Sequence, residues 1–531
     1  MKTKYRFLLL SLFSAALLSL AWYWSLSIAI FFGFVPLLML EDELAGEVRQ
    51  PRRRLRLWSY AYLTFLIWNL LVTWWVVYAS LGGALMAFLC NALLMSWVFC
   101  IFSGVKRRIG KAWAIWLLLP LWLAFEHIHT LWDISWTWLS LGNVFAFNHN
   151  WVQWYEFTGV SGGALWILAA NILVFQMIKK NGSFQPFSKP VYKVAAVIIL
   201  PIFLSWILSA VKKPFHKGGG VQTLIIQPNI DPYNTKFSLD FQQQFFKFLA
   251  LVKGKIHPET EYLVLPETFI TEDLNEAYIA QSPEIGWFRD SLIKRFPNLK
   301  IITGGSTYVV YKNQKDVTAT ARQDERNGNY YDSFNSGILI TQNRVEVYHK
   351  SKLVPGVERM PFPALFKPLE GLAIDMGGTM GSLGTQAERS VFSDSLSHTA
   401  IAPVICYESV YGDYVTAYMR KHANLIFIIT NDGWWENTPG YIQHLNYARL
   451  RAIENRREIA RCANTGISCF MDEFGNISQP TSWWQEAVIE KKMHPNNELT
   501  FFARFGDLLS YASLALSCLI IMFGIYLRFK R

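Results

Sequence analysis

The sequence predicts a polytopic α-helical membrane domain of about eight spans carrying an extracytoplasmic α/β domain. Three observations predict it. Of 531 residues, 52% are hydrophobic and 17% charged, with 22 Trp and 38 Phe. That is too apolar for an ordinary soluble enzyme and long enough for more than one domain. Apolar runs of roughly 20 residues, the length a bilayer requires, crowd the region 1–211 and return at the end of the chain. Between 218 and 500 the character changes, and short β-rich runs alternate with polar helical stretches.

The domains therefore run 1–211 (seven spans), 218–500 (α/β) and 506–531 (a last span and a short tail). The spans are placed at 7–24, 25–40, 57–80, 81–105, 111–125, 159–178, 194–211 and 508–527. The first lacks a small-x-small cleavage site and runs straight into further apolar sequence, so it reads as a span, not a signal peptide. Lys and Arg in short loops set the orientation. Lys2, Lys4 and Arg6, the cluster Arg49 to Arg56, Lys106 to Arg108, Lys179 and Lys180, and Arg528, Lys530 and Arg531 all share one side of an eight-span chain. Both termini are then cytoplasmic and 218–500 lies outside. Lys212, Lys213 and Lys217 fall on the far side, before a large domain, where the rule is weak. The net charge of +11 thus follows membrane topology and does not point to nucleic acid. Residues 126–156 are too polar to span and too rich in Trp for a plain loop. They are placed at the outer interface, either as an aromatic belt or as a lid on a lipid entry path.

In 218–500, Gly218-Gly219-Gly220 opens like a hinge. Strands are predicted at 221–227, 262–266, 300–305, 337–341, 345–349, 400–406, 425–430 and 467–472, and helices at 239–252, 282–295, 409–422 and 443–461. Residues 313–330 and 376–398 read as loops. Six cysteines in so long a chain form no disulfide framework. Cys462 and Cys469 are able to pair in an oxidising compartment, but packing is the simpler expectation.

Three strand ends each deliver a reactive group. Glu267 closes Leu263-Val264-Leu265-Pro266-Glu267, Lys350 follows Tyr348-His349, and Cys406 ends the run Ala400 to Ile405. Acyl transfer needs these types: a carboxylate as general base, a thiol as nucleophile, and an ammonium to lower the thiol pKa and bind an oxyanion. The backbone N–H of Tyr407 is a natural second oxyanion donor. Singly, each residue has a bland reading as a cap, a solvated lysine or a buried structural cysteine. No Cys-x-x-Cys pattern accompanies them, which argues against metal chemistry, and Gly304-Gly305 is a lone turn, not a phosphate loop.

Leu-Pro-Glu at 267, Tyr-x-Lys-x-x-Leu around Lys350 and Ile-Cys-Tyr-Glu around Cys406 resemble the Glu-Lys-Cys triad of the nitrilase (carbon–nitrogen hydrolase) superfamily. The membrane flanks make the whole chain similar to its apolipoprotein N-acyltransferase branch. Further wording agrees: Gln227-Pro228-Asn229-Ile230, Asn431-Asp432-Gly433-Trp434-Trp435, Gln443-His444, Arg451-Ala452-x-Glu454, Arg461 to Ser468, Trp138 to Gly142 and Glu156-x-x-Gly159-x-x-Gly162. Two departures stand out. The family's Leu-Val-Pro-Phe-Gly-Glu reads Leu-Val-Pro-Gly-Val-Glu here, ending at Glu358, and Phe237 stands near a customary tryptophan.

The resemblance implies a nitrilase-like four-layer α-β-β-α sandwich and no cofactor or metal. It implies a monomer in the bacterial inner membrane with its catalytic domain in the periplasm. Cys406 would attack the sn-1 ester of a phospholipid, typically phosphatidylethanolamine, and form a thioester. The amine of an apolipoprotein's S-diacylglyceryl cysteine would then take the acyl chain. Glu267 would be the base, Lys350 the oxyanion stabiliser, and Glu358 and Glu408 supports that orient Lys350, with Tyr407 against lipid. A small-amide hydrolase needs no eight spans, whereas an enzyme whose two substrates are both lipids does. A greasy, Trp-rich rim would also keep water from the thioester. The competing readings are a membrane-tethered amidase using water and a non-catalytic transporter or sensor, the latter opposed by the scarcity of charges within the spans.

Overall fold

The protein, described here from a computed structural model, is defined over residues 3–46, 52–181, 188–212, 219–236, 238, 240–359, 362 and 382–529. Phe237, residues 376–381 of one expected loop, and the charges Lys2, Arg49, Lys213, Lys217, Lys530 and Arg531 lie outside the described residues. The chain divides into two units, 1–74 with 84–212 and 505–531, and 75–83 with 213–504.

Among the described residues of the chain, five helices are long and apolar enough to cross a membrane: Arg53–Tyr78, Leu81–Ile109, Tyr155–Lys180, Lys189–Val211 and Leu508–Phe529. The segment expected as a second span is not one helix. A 3-10 run over Trp24–Phe32 is followed by a separate helix over Val35–Gly46. Pro36 explains the restart, because a proline fits the first helical turn but cannot continue a preceding one. Asn171 stitches the break, donating to Ile30 O at 2.9 Å and accepting from Phe34 N at 2.8 Å. The Trp-rich stretch 126–156 forms short 3-10 turns, Thr137–Leu139, Leu141–Ala146 and His149–Trp151. Trp136, Trp138 and Phe145 are buried within the unit, so these rings build its core and form no outward belt. The Glu126 carboxylate is met there by the Leu141 N–H at 2.8 Å and the Trp122 indole at 3.0 Å.

The second unit holds strands β1 (Val221–Gln227), β2 (Thr260–Val264), β3 (Ile270–Asn275), β4 (Lys300–Val310), β5 (Arg322–Gln323), β6 (Tyr330–Ile340), β7 (Val345–His349), β8 (Phe392–Asp394), β9 (Thr399–Ile405), β10 (Leu425–Thr430), β11 (Ile459–Ala463), β12 (Cys469–Met471), β13 (Ile477–Ser478) and β14 (Ala487–Met493). One sheet runs β14-β1-β2-β4-β6-β5, with β3 beside β4 and β7 beside β6; the other runs β13-β12-β11-β10-β9-β8. The centre of each is parallel: β1, β2 and β4 in the first, β9, β10 and β11 in the second. Such strands are buried on both faces, which is why they read as unbroken apolar runs. Helices Phe241–Val252 and Pro283–Phe288 bury Phe241, Phe245, Phe248 and Phe288 against Leu263, Ile301 and Ile338 of the first sheet. Helices Gly412–Arg420 and Pro439–Asn455 belong to the second sheet. The sheets meet where Cys462 Sγ lies 3.2 Å from Ile226 O and 3.4 Å from Val264 O. Cys462 and Cys469 are both free.

Every predicted strand lies on an observed one. The helix predicted over 443–461 instead runs Pro439–Asn455 and gives way to β11. Thr438 caps its start, and Arg456 at φ +47° ends it in the left-handed region. The expected loop 313–330 contains β5, and 376–398 contains β8.

Candidate active site

Glu267 lies beyond β2, where Leu265 and Pro266 end the strand. The turn is tight: a Cβ added to Gly304 on β4 would stand 2.6 Å from Glu267 Cα and 2.4 Å from Thr268 N, so only glycine lets the two segments approach. Thr268 sits at φ +49°, an unusual conformation for a β-branched residue. Lys350 follows β7, its backbone N–H bonded to Asn335 O of β6 at 2.8 Å. Cys406 follows β9 as the first residue of a 3-10 turn, Cys406–Val410, at φ +46°. Strain of this kind at a strand end is held only where the surroundings fix it.

The structure brings Glu267, Lys350 and Glu358 into direct contact. Lys350 Nζ donates to Glu267 Oε1 at 2.9 Å and to Glu358 Oε1 at 2.8 Å. Asn335 Nδ2 bridges the same two oxygens at 2.8 and 2.9 Å. Asn431 N–H donates to Glu267 Oε2 at 3.1 Å, and Val354 N–H to Glu358 Oε2 at 2.8 Å. The altered Pro-Gly-Val-Glu wording puts Gly356 at φ +74°, and the turn it forms still carries Glu358 to Lys350.

Glu408 bonds the residues beside Lys350 and Cys406 and not the Lys350 ammonium. Its Oε1 accepts from Tyr348 OH (2.6 Å), Tyr414 OH (2.8 Å) and Ser351 N–H (2.7 Å), and its Oε2 from Ile405 N–H (2.8 Å). It thus ties the backbone just before Cys406 to the backbone just after Lys350. Tyr407 is buried, and its ring packs edge-on against Tyr411.

Behind Cys406 stands a second polar group. His444 Nε2 faces Cys406 O at 3.1 Å and Ser409 Oγ at 2.9 Å, and its Nδ1 faces Asp432 Oδ1 at 2.9 Å. Arg461 donates to Asp432 Oδ2 at 2.6 Å and Thr430 Oγ1 to Asp432 Oδ1 at 2.8 Å. The sequence marked Asp432, His444 and Arg461 only as family wording. Asn335 and Lys236 it missed altogether. Lys236 Nζ donates to Glu267 O at 3.0 Å and to Thr268 Oγ1 at 2.6 Å. Its one sequence signal is a lysine nine residues past Gln227-Pro228-Asn229-Ile230's first residue, in a segment that reads as a polar turn.

Electrostatics divide the roles. Burial alone would raise the Glu267 carboxyl, but the charge and hydrogen bond of Lys350, the Asn335 bond and the charge of Lys236 hold it below its ordinary value. Burial would lower Lys350, yet Glu267 and Glu358 hold it well above. Burial and then the Glu267 charge push the Cys406 thiol well up, against Lys350 and a Thr430 hydrogen bond. The resting site is therefore a carboxylate, an ammonium and a neutral thiol. Such a set can pass the thiol proton to Glu267 as sulfur attacks, and it can stabilise negative charge on an attacked carbonyl.

The carbon–nitrogen hydrolase family profile matches residues 225–497, and that of the apolipoprotein N-acyltransferase N-terminal domain matches residues 14–173. The chain is 29% identical over 473 residues to an apolipoprotein N-acyltransferase of Chlorobaculum tepidum, covering 86% of this chain and 85% of the relative. It is 26% identical over 499 residues to that of Geobacter metallireducens, covering 91% and 88%. Among solved structures, Saccharomyces cerevisiae Nit3, a member of branch 10 of the nitrilase superfamily, is 14% identical, with 54% of this chain and 95% of that chain covered and a TM-score of 0.36.

Proposed function

The chain belongs to the carbon–nitrogen hydrolase family, and because it also carries an apolipoprotein N-acyltransferase N-terminal domain we propose that it is a membrane N-acyltransferase that completes lipoprotein maturation. In this reading the α/β unit is the four-layer α-β-β-α catalytic domain, held on the periplasmic side of the inner membrane. The observation that carries the reading is the convergence of Glu267 and Lys350 on one buried cluster next to a strained Cys406, in a chain with helices able to span a bilayer.

The reaction proceeds in two halves. Glu267 takes the Cys406 proton as sulfur attacks the sn-1 ester of a phospholipid, phosphatidylethanolamine in the typical case. Lys350 and the Tyr407 backbone N–H stabilise the tetrahedral oxyanion. The lysophospholipid leaves with the proton held by Glu267, and the thioester remains. The neutral α-amine of an S-diacylglyceryl-cysteine then attacks, Glu267 receives its proton, and the amide departs as the thiol re-forms. Glu358 holds Lys350 in place throughout.

Intact-mass analysis after incubation with phospholipid tests this. An acyl adduct on Cys406, absent in Cys406→Ser and discharged by a diacylglyceryl lipopeptide, is the expected result. Release of free fatty acid or ammonia with no transfer to the lipopeptide would assign the chain to the hydrolases instead.

A further inference from the structure

A second buried lysine bears on the same carboxylate as Lys350. Lys236 is 1% exposed. Its Nζ donates to the Glu267 carbonyl and the Thr268 hydroxyl. The Asn431 side-chain oxygen stands 3.3 Å from Nζ when the amide is turned so that this oxygen also faces the Trp434 indole. The chain around Lys236 is fixed too: its N–H reaches Asp231 O at 2.9 Å, and its carbonyl takes the Gln244 amide at 2.7 Å. A long flexible side chain is thus immobilised in the interior, its head on the strained turn that presents Glu267.

We propose that Lys236 is a positioning residue for the Glu267–Cys406 pair: it pins the Glu267–Thr268 turn and supplies the second positive charge that makes proton transfer from Cys406 to Glu267 favourable. The proposal rests on the acyl-transfer reading of Cys406 as nucleophile and Glu267 as base.

Charge balance carries the argument. Glu267 and Glu358 bring two negative charges, and Lys350 and, below about pH 7, Lys236 two positive ones, so there the resting site with a neutral thiol is balanced. Moving the thiol proton to Glu267 keeps the sum unchanged, with the negative charge now on sulfur. Without Lys236 the pocket is one charge negative before the reaction starts, and a buried thiolate beside Glu358 becomes harder to form. The groups acting on the thiol are Glu267, Lys350 and Asp432, with Thr430 as hydrogen-bond partner. Those acting on Lys236 are Glu267 and Cys406 themselves. Burial drives Lys236 down to about 7, against those two opposing charges. Its charge is therefore sensitive to whether negative charge sits on Glu267 and sulfur, as a group coupled to the proton transfer must be.

The test is the pH dependence of Cys406 alkylation by iodoacetamide. It is read by peptide mass in the full-length protein, in detergent and without lipid, so it is independent of which acyl donor or acceptor is used. Lys236→Gln keeps hydrogen-bonding capacity and removes the charge; Lys236→Met removes both; Lys236→Arg keeps the charge. The Gln and Met variants are expected to react about tenfold more slowly than wild type below about pH 7, where Lys236 is charged, and to approach the wild-type rate above it. The Arg variant loses no more than about threefold. A folded Lys236→Gln protein that reacts at the wild-type rate below about pH 7 overturns the proposal, and if Lys236→Met does not fold, the Gln variant decides alone. An acyl adduct on Cys406 with an unchanged rate below about pH 7 sinks the Lys236 role only. A lowered rate with no acyl adduct sinks the acyl-transfer reading only.

Discussion

Lys350 Nζ and Glu267 Oε1 are joined at 2.9 Å with both side chains almost wholly buried, and Glu358 takes the same ammonium at 2.8 Å. One cation between two carboxylates cannot leave its position without exposing an unpaired charge to the interior, a cost of about 3–5 kcal/mol. These three charged side chains are therefore held rigidly. Lys350→Met is expected to lower Cys406 acylation by about 10³-fold or more, since the oxyanion loses its charged partner. Glu358→Gln keeps the Val354 contact and loses the charge, and is expected to cost about 10–100-fold. Rates of acyl-adduct formation by intact mass check both. Equal rates for Glu358→Gln and wild type would remove Glu358 from the site.

Glu408 accepts four hydrogen bonds without solvent. Glu408→Ala leaves the Ile405 and Ser351 N–H groups and the Tyr348–Tyr414 hydroxyl pair short of an acceptor, a loss of about 3–5 kcal/mol. Because the two N–H groups belong to Ile405 and Ser351, the damage reaches Cys406 and Lys350 together. The expected outcome is a lower thermal midpoint by tryptophan fluorescence and strongly reduced acylation. An unchanged midpoint would mean that the bonds are replaced on mutation.

What the sequence made legible follows from where chemistry sits on strands. Glu267, Lys350 and Cys406 each terminate an apolar run, so their type and position were readable one at a time. Lys236 was not, because a lysine in the turn after Asp231 looks solvated. It is the packing of Gln244 and the Glu267–Thr268 turn over it that buries the head. Asn335 lies mid-strand in β6, where nothing local distinguishes it from a sheet residue. β11 was merged into the helix before it because Ile453 and Ile459 continue an apolar pattern; only the backbone reversal at Arg456 separates the two. The break in the second span has its sequence signal in Pro36.

Acid stability depends on the group behind the thiol. Asp432 is fully buried; burial would raise it, and Arg461 and His444 outweigh that and hold it well below the usual carboxylate range. A depressed folded-state value contributes stability that is complete above the unfolded value, about 4, and is lost as pH falls through the folded one. The stability gap between wild type and Asp432→Asn should then be widest above about pH 5 and narrow steadily below about pH 4. Urea unfolding followed at a series of pH values measures it. A gap that does not change between pH 7 and pH 3 would show that Asp432 titrates alike in both states.

Gly304 tests how finely Glu267 must be placed. The β-carbon of Gly304→Ala would meet backbone atoms at 2.4 and 2.6 Å, with no flexible side chain to yield. Either β4 or the 267–268 turn must move by several tenths of an ångström, and the Gly304 N–H bond to Pro266 O at 3.0 Å resists separation. A displacement approaching about 1 Å at the proposed base is expected to cost up to about 10²-fold. The core of the sheet, with Ile301, Ile302 and Ile338 buried on β4 and β6, remains to hold the fold. The variant should therefore keep a cooperative melt, lowered by a few degrees, while acylation of Cys406 falls by up to about a hundredfold. Alkylation of Cys406 by iodoacetamide at high pH, where no base is needed, should match wild type. A Gly304→Ala protein that acylates at the wild-type rate would mean that Glu267 tolerates displacement, and the base would then have to be sought elsewhere in the cluster.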